Sequence, residues 1–143
     1  MKRRLTMFVC AMLVIFSVPA NLNSQEDKLL QSCEKYLKSP FVITGQPLKA
    51  FLTGEEVAEF HATLFEGNIY RIVACSHEPD NITFSVYDSD RNLLFSNNSY
   101  ADANYWDFKM EGSIECIIEA KLSSPKTSSG IALLMMGFKY TQN

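Results

Sequence analysis

His61 and His77 are the only two imidazoles in the 143-residue chain, so activation of a nucleophile would fall to one of them or to a carboxylate. A catalytic triad needs an imidazole beside both a nucleophile and an orienting acid. His61 lies on the polar phase of its segment, and His77 sits in the loop between Ser76 and Asn81. The sequence holds no G-x-S-x-G elbow, no H-E-x-x-H helix and no Walker-type glycine loop. Glycoside cleavage would need two carboxylates roughly 5–9.5 Å apart across a cleft. Glu55, Glu56, Glu59 and Glu66 read more simply as solvated strand and turn positions. The expectation is a protein that is not an enzyme.

Asp88-Ser89-Asp90-Arg91-Asn92 opens like a calcium loop. Such a loop gathers about six to eight oxygens and needs Gly at its sixth position and Glu at its twelfth. Leu93 and Ser99 occupy those positions here. A hairpin turn is the better reading, because Asp and Asn side chains bond nearby backbone amides. Calcium held by another set of loop oxygens is the lesser alternative, and no metal or cofactor is expected.

The densest aromatic stretch runs from Tyr100 through Tyr105 and Trp106 to Phe108. Trp106 and Phe108 share a phase with Met110 and read as core, while Tyr105 falls on the other face. Tyr87, Tyr100 and Tyr105 form the candidate binding surface, where ring faces supply area and neighbouring Asp and Asn supply orientation. The competing reading is a loop anchored by its own aromatics.

These groups need a compartment and a scaffold. Lys2, Arg3 and Arg4 precede an apolar run from Leu5 to Val18, broken by Pro19. This is the layout of a secretory signal peptide, and a run of that length is shorter than the roughly 20 residues that cross a membrane. The leader is read as residues 1–24, with cleavage after Ala20 or Ser24. No later segment reads as a membrane span. Three of the 13 basic residues leave with the leader and all 16 acidic ones stay, so the exported chain carries a net charge of −6. With a pI near 5.4 and no basic run, a nucleic-acid partner is excluded.

Export leaves Cys33, Cys75 and Cys116 in an oxidising compartment, where one disulfide and one free thiol are expected. Cys116 shares the inward phase of Ile114 and Ile118 and reads as the buried thiol. Cys75 is out of phase with Tyr70, Ile72 and Ala74, so it can meet Cys33 if a helix packs on that outer side. The Cys33–Cys75 pairing is therefore preferred to Cys75–Cys116.

Residues 25–40 are read as one helix: Leu29, Leu30, Cys33, Tyr36 and Leu37 make a single apolar stripe, and Ser39-Pro40 stops it. From Phe41 the period becomes two. Alternating runs at 57–64, 70–74, 82–86, 106–110 and 114–120, with shorter ones at 48–52 and 93–95, are separated by polar or Gly turns. The last run, Gly130 to Tyr140, is apolar on both faces and suits a strand covered on both sides. Residues 41–143 thus read as one all-β, jelly-roll-like β-sandwich of about eight strands with one short N-terminal helix.

The order of pieces from Glu59 to Tyr140 resembles the bacterial pre-peptidase C-terminal domain. The pieces are Phe60–Ile72 with its Gly turn and Tyr-x-Ile strand, Phe84–Leu94 with Tyr87-Asp88 and a turn, and the Gly-led strand Gly112–Ile118. The resemblance implies an extracytoplasmic, non-catalytic sandwich module associated with secretion, targeting or substrate adhesion. No catalytic domain is expected ahead of the module; a short helix is read in its place. The chain also resembles short secreted bacterial proteins of this layout.

The resulting expectation is an exported, periplasmic or secreted, non-catalytic binding or interaction module. Its partner would be a polysaccharide or an extracytoplasmic protein. The alternatives are a small secreted hydrolase using paired carboxylates and a barrel carrying a small apolar ligand.

Overall fold

Strand phase, turn chemistry and one covering helix account for the architecture. The computed structural model describes residues 22–123 and 128–141. The signal-peptide reading lies outside them up to residue 21, and Leu22 to Ser24 already belong to the helix. The elements are α1 (Leu22–Glu34), β1 (Val42–Thr53), β2 (Val57–Leu64), β3 (Asn68–Cys75), β4 (Ile82–Asp88), β5 (Leu93–Ser96), β6 (Tyr105–Lys109), β7 (Ile114–Leu122) and β8 (Ser129–Tyr140).

The strands form two antiparallel sheets. The first has the order β1-β8-β3-β6 and the second β2-β7-β4-β5. Each pairing of early with late strands makes the double Greek key of a jelly roll. The alternation seen in the sequence becomes inside and outside. Ile82, Phe84 and Val86 of β4 lie beside Ile118 and Ala120 of β7 and face the inward residues of the other sheet, Ile72, Ala74, Ala132 and Leu134. These side chains fill the space between the sheets, so a filled sandwich replaces the hollow-barrel alternative.

One open side of the sandwich is closed by aromatics. Phe95 lies 4.8 Å from the Trp106 ring, 5.5 Å from Phe108 and 5.4 Å from Phe84. Behind it, the fully buried Asn97 accepts the Phe84 amide at 2.9 Å and donates to the Ile82 and Ala103 carbonyls at 3.0 and 3.1 Å. Those three bonds satisfy backbone groups that the irregular 97–104 segment would otherwise leave unpaired in the interior.

A second, smaller apolar layer lies outside the first sheet. Leu29 and Cys33 of α1, with Leu37 just beyond it, cover Val73, Cys75, Leu133 and Met135. This is why β8 is apolar on both faces: Ala132 and Leu134 face the sandwich, and Leu133 and Met135 face the helix. Cys33 and Cys75 form a disulfide across this layer, with Cα atoms 5.9 Å apart, and Cys116 is a buried free thiol.

The helix is displaced from the expected span of 25–40. It ends at Glu34, and tight turns follow, with the Tyr36 amide donating to Cys33 O at 3.0 Å and the Leu37 amide to Glu34 O at 2.9 Å. The tightening drops Leu37 and Phe41 onto β8 at Gly137. Strand β1 is longer than the expected 48–52, because it continues back to Val42 through a bulge between Thr44 and Leu48 that contains Gly45 and Pro47.

Candidate functional site

The helix covers only half of the outer face of the first sheet. The strand register continues this face in rows across β6 and β3: Tyr105 beside Val73, which the helix covers, Asp107 beside Arg71, and Lys109 beside Ile69. On β8, Lys139 continues the last row as the partner of Ile69, and Gly137 continues the row of Arg71. Beyond the helix the face therefore presents Tyr105, Asp107, Lys109, Ile69 and Lys139, with the Arg71 side chain, 20% exposed, set among them.

Arg71 organises this surface. Its Nε donates to Asp107 Oδ1 at 2.7 Å and its Nη2 to Asp107 Oδ2 at 2.8 Å, a two-pronged pairing that fixes the plane of the guanidinium. Nη1 donates to the Tyr36 carbonyl at 2.9 Å, which ties the surface to the turn after α1. The guanidinium carbon lies 4.2 Å from the centroids of both the Phe41 and Tyr105 rings. The Asp107 hydrogen bonds raise the Arg71 pKa further above its already high ordinary value.

Two open depressions flank this pair. One, of about 490 Å³, is lined by Tyr36, Ala103, Asn104, Tyr105, Trp106 and Asp107. There the Tyr36 and Tyr105 rings lie 5.2 Å apart, and Tyr36 Oη donates to Asn104 Oδ1 at 3.1 Å. The other, a groove of about 780 Å³, is bordered by Val42, Ile69, Lys109, Lys139 and Tyr140 among others. Tyr140 is 75% exposed and Val42 60%, and the Lys139 ammonium lies 4.9 Å from the Phe41 ring centroid.

The structure spreads the three expected tyrosines over three surfaces. Tyr105 faces outward from the first sheet, as its phase implies, and joins the Arg71 surface. Tyr100 lies on the aromatic side of the sandwich, 4.4 Å from the Trp106 ring and 5.4 Å from Phe95. Tyr87 is paired with Ile117 on the outside of the second sheet, the opposite face of the molecule. Arg71, Tyr36, Phe41, Lys109 and Lys139 were not selected from sequence. The available signal was a cation at the outward phase beside aromatics: Arg71 after Tyr70, Lys109 after Phe108, and Lys139 between Phe138 and Tyr140.

On the outside of the second sheet, Glu59 and Glu119 are direct cross-strand partners. Arg91 bonds to both, and His61 bonds to Glu59. The Arg91 and His61 hydrogen bonds hold the Glu59 carboxyl below its ordinary range. With one guanidinium bonded to both carboxylates, this cluster is built as an ion-pair network. At the Asp88 turn, both carboxylate oxygens are engaged within the loop. Oδ1 accepts the Asp90 and Asn92 amides at 3.0 and 2.8 Å, and Oδ2 accepts Asn92 Nδ2 at 2.8 Å. The Asn92 bonds lower the Asp88 pKa. Among the described residues, no three His, Cys, Asp or Glu side chains come together as metal ligands, and no helix is long and apolar enough to cross a membrane.

No protein-family model matches the chain, and no curated protein matches it in sequence. Among solved structures, it is similar to PliG of Aeromonas hydrophila, a periplasmic lysozyme inhibitor of g-type lysozyme. The TM-score is 0.51 at 14% identity, over 66% of this chain and 85% of PliG. At that identity the likeness is one of fold.

Proposed function

We propose that this chain is an exported, non-catalytic module that binds another protein, and that the partner is an enzyme of the g-type lysozyme kind. The observation that carries this reading is the uncovered half-face around Arg71. Its guanidinium is fixed by three hydrogen bonds and two rings before any partner arrives. Arg and Tyr are enriched among the side chains that dominate protein interfaces, and pre-organisation lowers the entropy lost on binding.

Three further features support the proposal. The structural neighbour that shares the fold is itself described as an inhibitor of g-type lysozyme. The Cys33–Cys75 disulfide suits an oxidising, extracytoplasmic compartment. The basic-headed apolar leader and the resemblance to the pre-peptidase C-terminal module point to the same compartment and to a non-catalytic role. A protein partner is favoured over a polysaccharide because the three candidate tyrosines do not share one stacking surface.

The test is calorimetric titration of the oxidised chain with a g-type lysozyme, alongside an assay of cell-wall lysis. A saturable complex with reduced lysis supports the proposal. A folded chain that neither binds nor inhibits such an enzyme overturns it.

A further inference from the structure

Resting on that reading, we infer that the enzyme's carboxylate-lined cleft is met by the row Lys109–Ile69–Lys139 and the groove beside it. Ile69 is the register partner of Lys109 on β6 and of Lys139 on β8, so the two lysines stand on the same outer face, one on each side of it. Neighbouring strands lie about 4.8 Å apart, which sets the two lysine stems about 10 Å from each other. Glycan-cleaving sites hold their two carboxyl groups roughly 5–9.5 Å apart. Ammonium heads on stems at that spacing can pair with both.

Charge distribution supports this occupant. The chain as a whole is acidic, with 16 Asp and Glu against 13 Lys and Arg. This half-face departs from that balance: it presents Arg71, Lys109 and Lys139 with Asp107 as the one acid in its rows, and Asp107 is already paired to Arg71. The outer face of the second sheet is more evenly mixed, with Glu59, Glu115 and Glu119 set against Arg91 and Lys121. A cleft rich in carboxylates is attracted more strongly to the first surface than to the second.

Apolar contact is available beside the charges. Tyr140 and Val42 border the groove and are 75% and 60% exposed. The Phe41 ring under the Lys139 ammonium restrains that side chain. An aromatic anchor next to a cation is the arrangement that concentrates binding energy at interfaces.

The experiment titrates a g-type lysozyme with the wild-type chain, with a Lys109→Glu/Lys139→Glu variant and with a Lys121→Glu variant, each checked for folding by its thermal transition. Lys121 is exposed on β7, outside the second sheet, and controls for a charge reversal placed elsewhere on the surface. The expected result is a loss of affinity on the order of 100-fold for the double variant and little change for Lys121→Glu. An N-acetylglucosamine oligomer occupying the enzyme's cleft should displace the wild-type chain. Wild-type binding that survives the double substitution, falls equally with Lys121→Glu, or is indifferent to the oligomer overturns the inference while leaving the proposed function standing. A wild-type chain that binds no such enzyme overturns both.

Discussion

Arg71 of β3 grips Asp107 of β6 through two parallel hydrogen bonds of 2.7 and 2.8 Å, although the residues are 36 apart in the chain. The third bond of the same guanidinium, to the Tyr36 carbonyl, brings the turn after the helix into the same unit. Sheet edge, sheet centre and helix are thereby held in one fixed relation on the half-face proposed to meet a partner.

Replacing Arg71 should show this role. Arg71→Ala is expected to lower stability by about 2 kcal/mol, from lost charge-assisted hydrogen bonds and lost ring packing. Arg71→Lys should recover only part of that loss, because an ammonium cannot supply the two-pronged geometry. Urea unfolding midpoints of the three proteins check the order wild type, Lys, Ala.

The Cys33–Cys75 bridge closes a segment with a sequence separation of 42. Loop-closure entropy for that length corresponds to about 4 kcal/mol. A Cys33→Ser/Cys75→Ser variant should therefore melt well below the oxidised wild type, and a reducing agent should bring wild type down to the variant. An unchanged transition would show that the α1 contacts with Val73, Leu133 and Met135 hold the helix unaided.

Much of this fold can be read from side-chain phase. The alternation of Ile82, Phe84 and Val86 gives a half-buried strand, and the out-of-phase Cys75 gives the outer face on which the helix lands. The two-sided apolar run at 130–140 announces a strand covered from both directions, and Leu133 and Met135 under α1 show what covers it. Phase does not say which sheet a strand joins. Tyr87 and Tyr105 are both outward residues, yet one faces out from the second sheet and the other from the first. Arg71 was illegible for a related reason: its partner Asp107 becomes its neighbour only through the β3–β6 register. The first half of β1 was missed because Gly45, Gln46 and Pro47 form a bulge, which carries no alternation.

Gly137 permits the close passage of the chain after α1. A Cβ there would stand 2.9 Å from Leu37 Cδ2 and 3.1 Å from the Val42 carbonyl oxygen. The side chain can shift, but the backbone oxygen belongs to a paired strand. Gly137→Ala is expected to cost about 1–3 kcal/mol, as overpacking does elsewhere. Thermal unfolding of the variant checks this, and an unchanged midpoint would mean that the 37–42 segment moves freely.

The Cys116 thiol, whose Sγ donates to Ala62 O at 3.4 Å, is pushed by burial up to about 11. Its thiolate is scarce at pH 8, so it should resist iodoacetamide in the native protein and react once the chain is unfolded. The sign for stability follows. As pH rises above the ordinary value of 9.0, the unfolded thiol ionises while the folded one keeps its proton. This group's contribution to stability therefore falls as pH climbs through about 11. Comparing wild type with Cys116→Ala by urea unfolding between pH 8 and 11 isolates the effect.

The most direct test of the account is amide hydrogen exchange of the oxidised chain, free and mixed with a g-type lysozyme. Added protection is expected in β6 and its flank, residues 104–109, and at the end of β8, residues 138–141, with the outside of the second sheet unchanged. Protection confined to β2, β7 and the Asp88 turn would place the partner on the opposite face. Unchanged exchange everywhere, with the chain folded and the enzyme in excess, would contradict the proposed partnership.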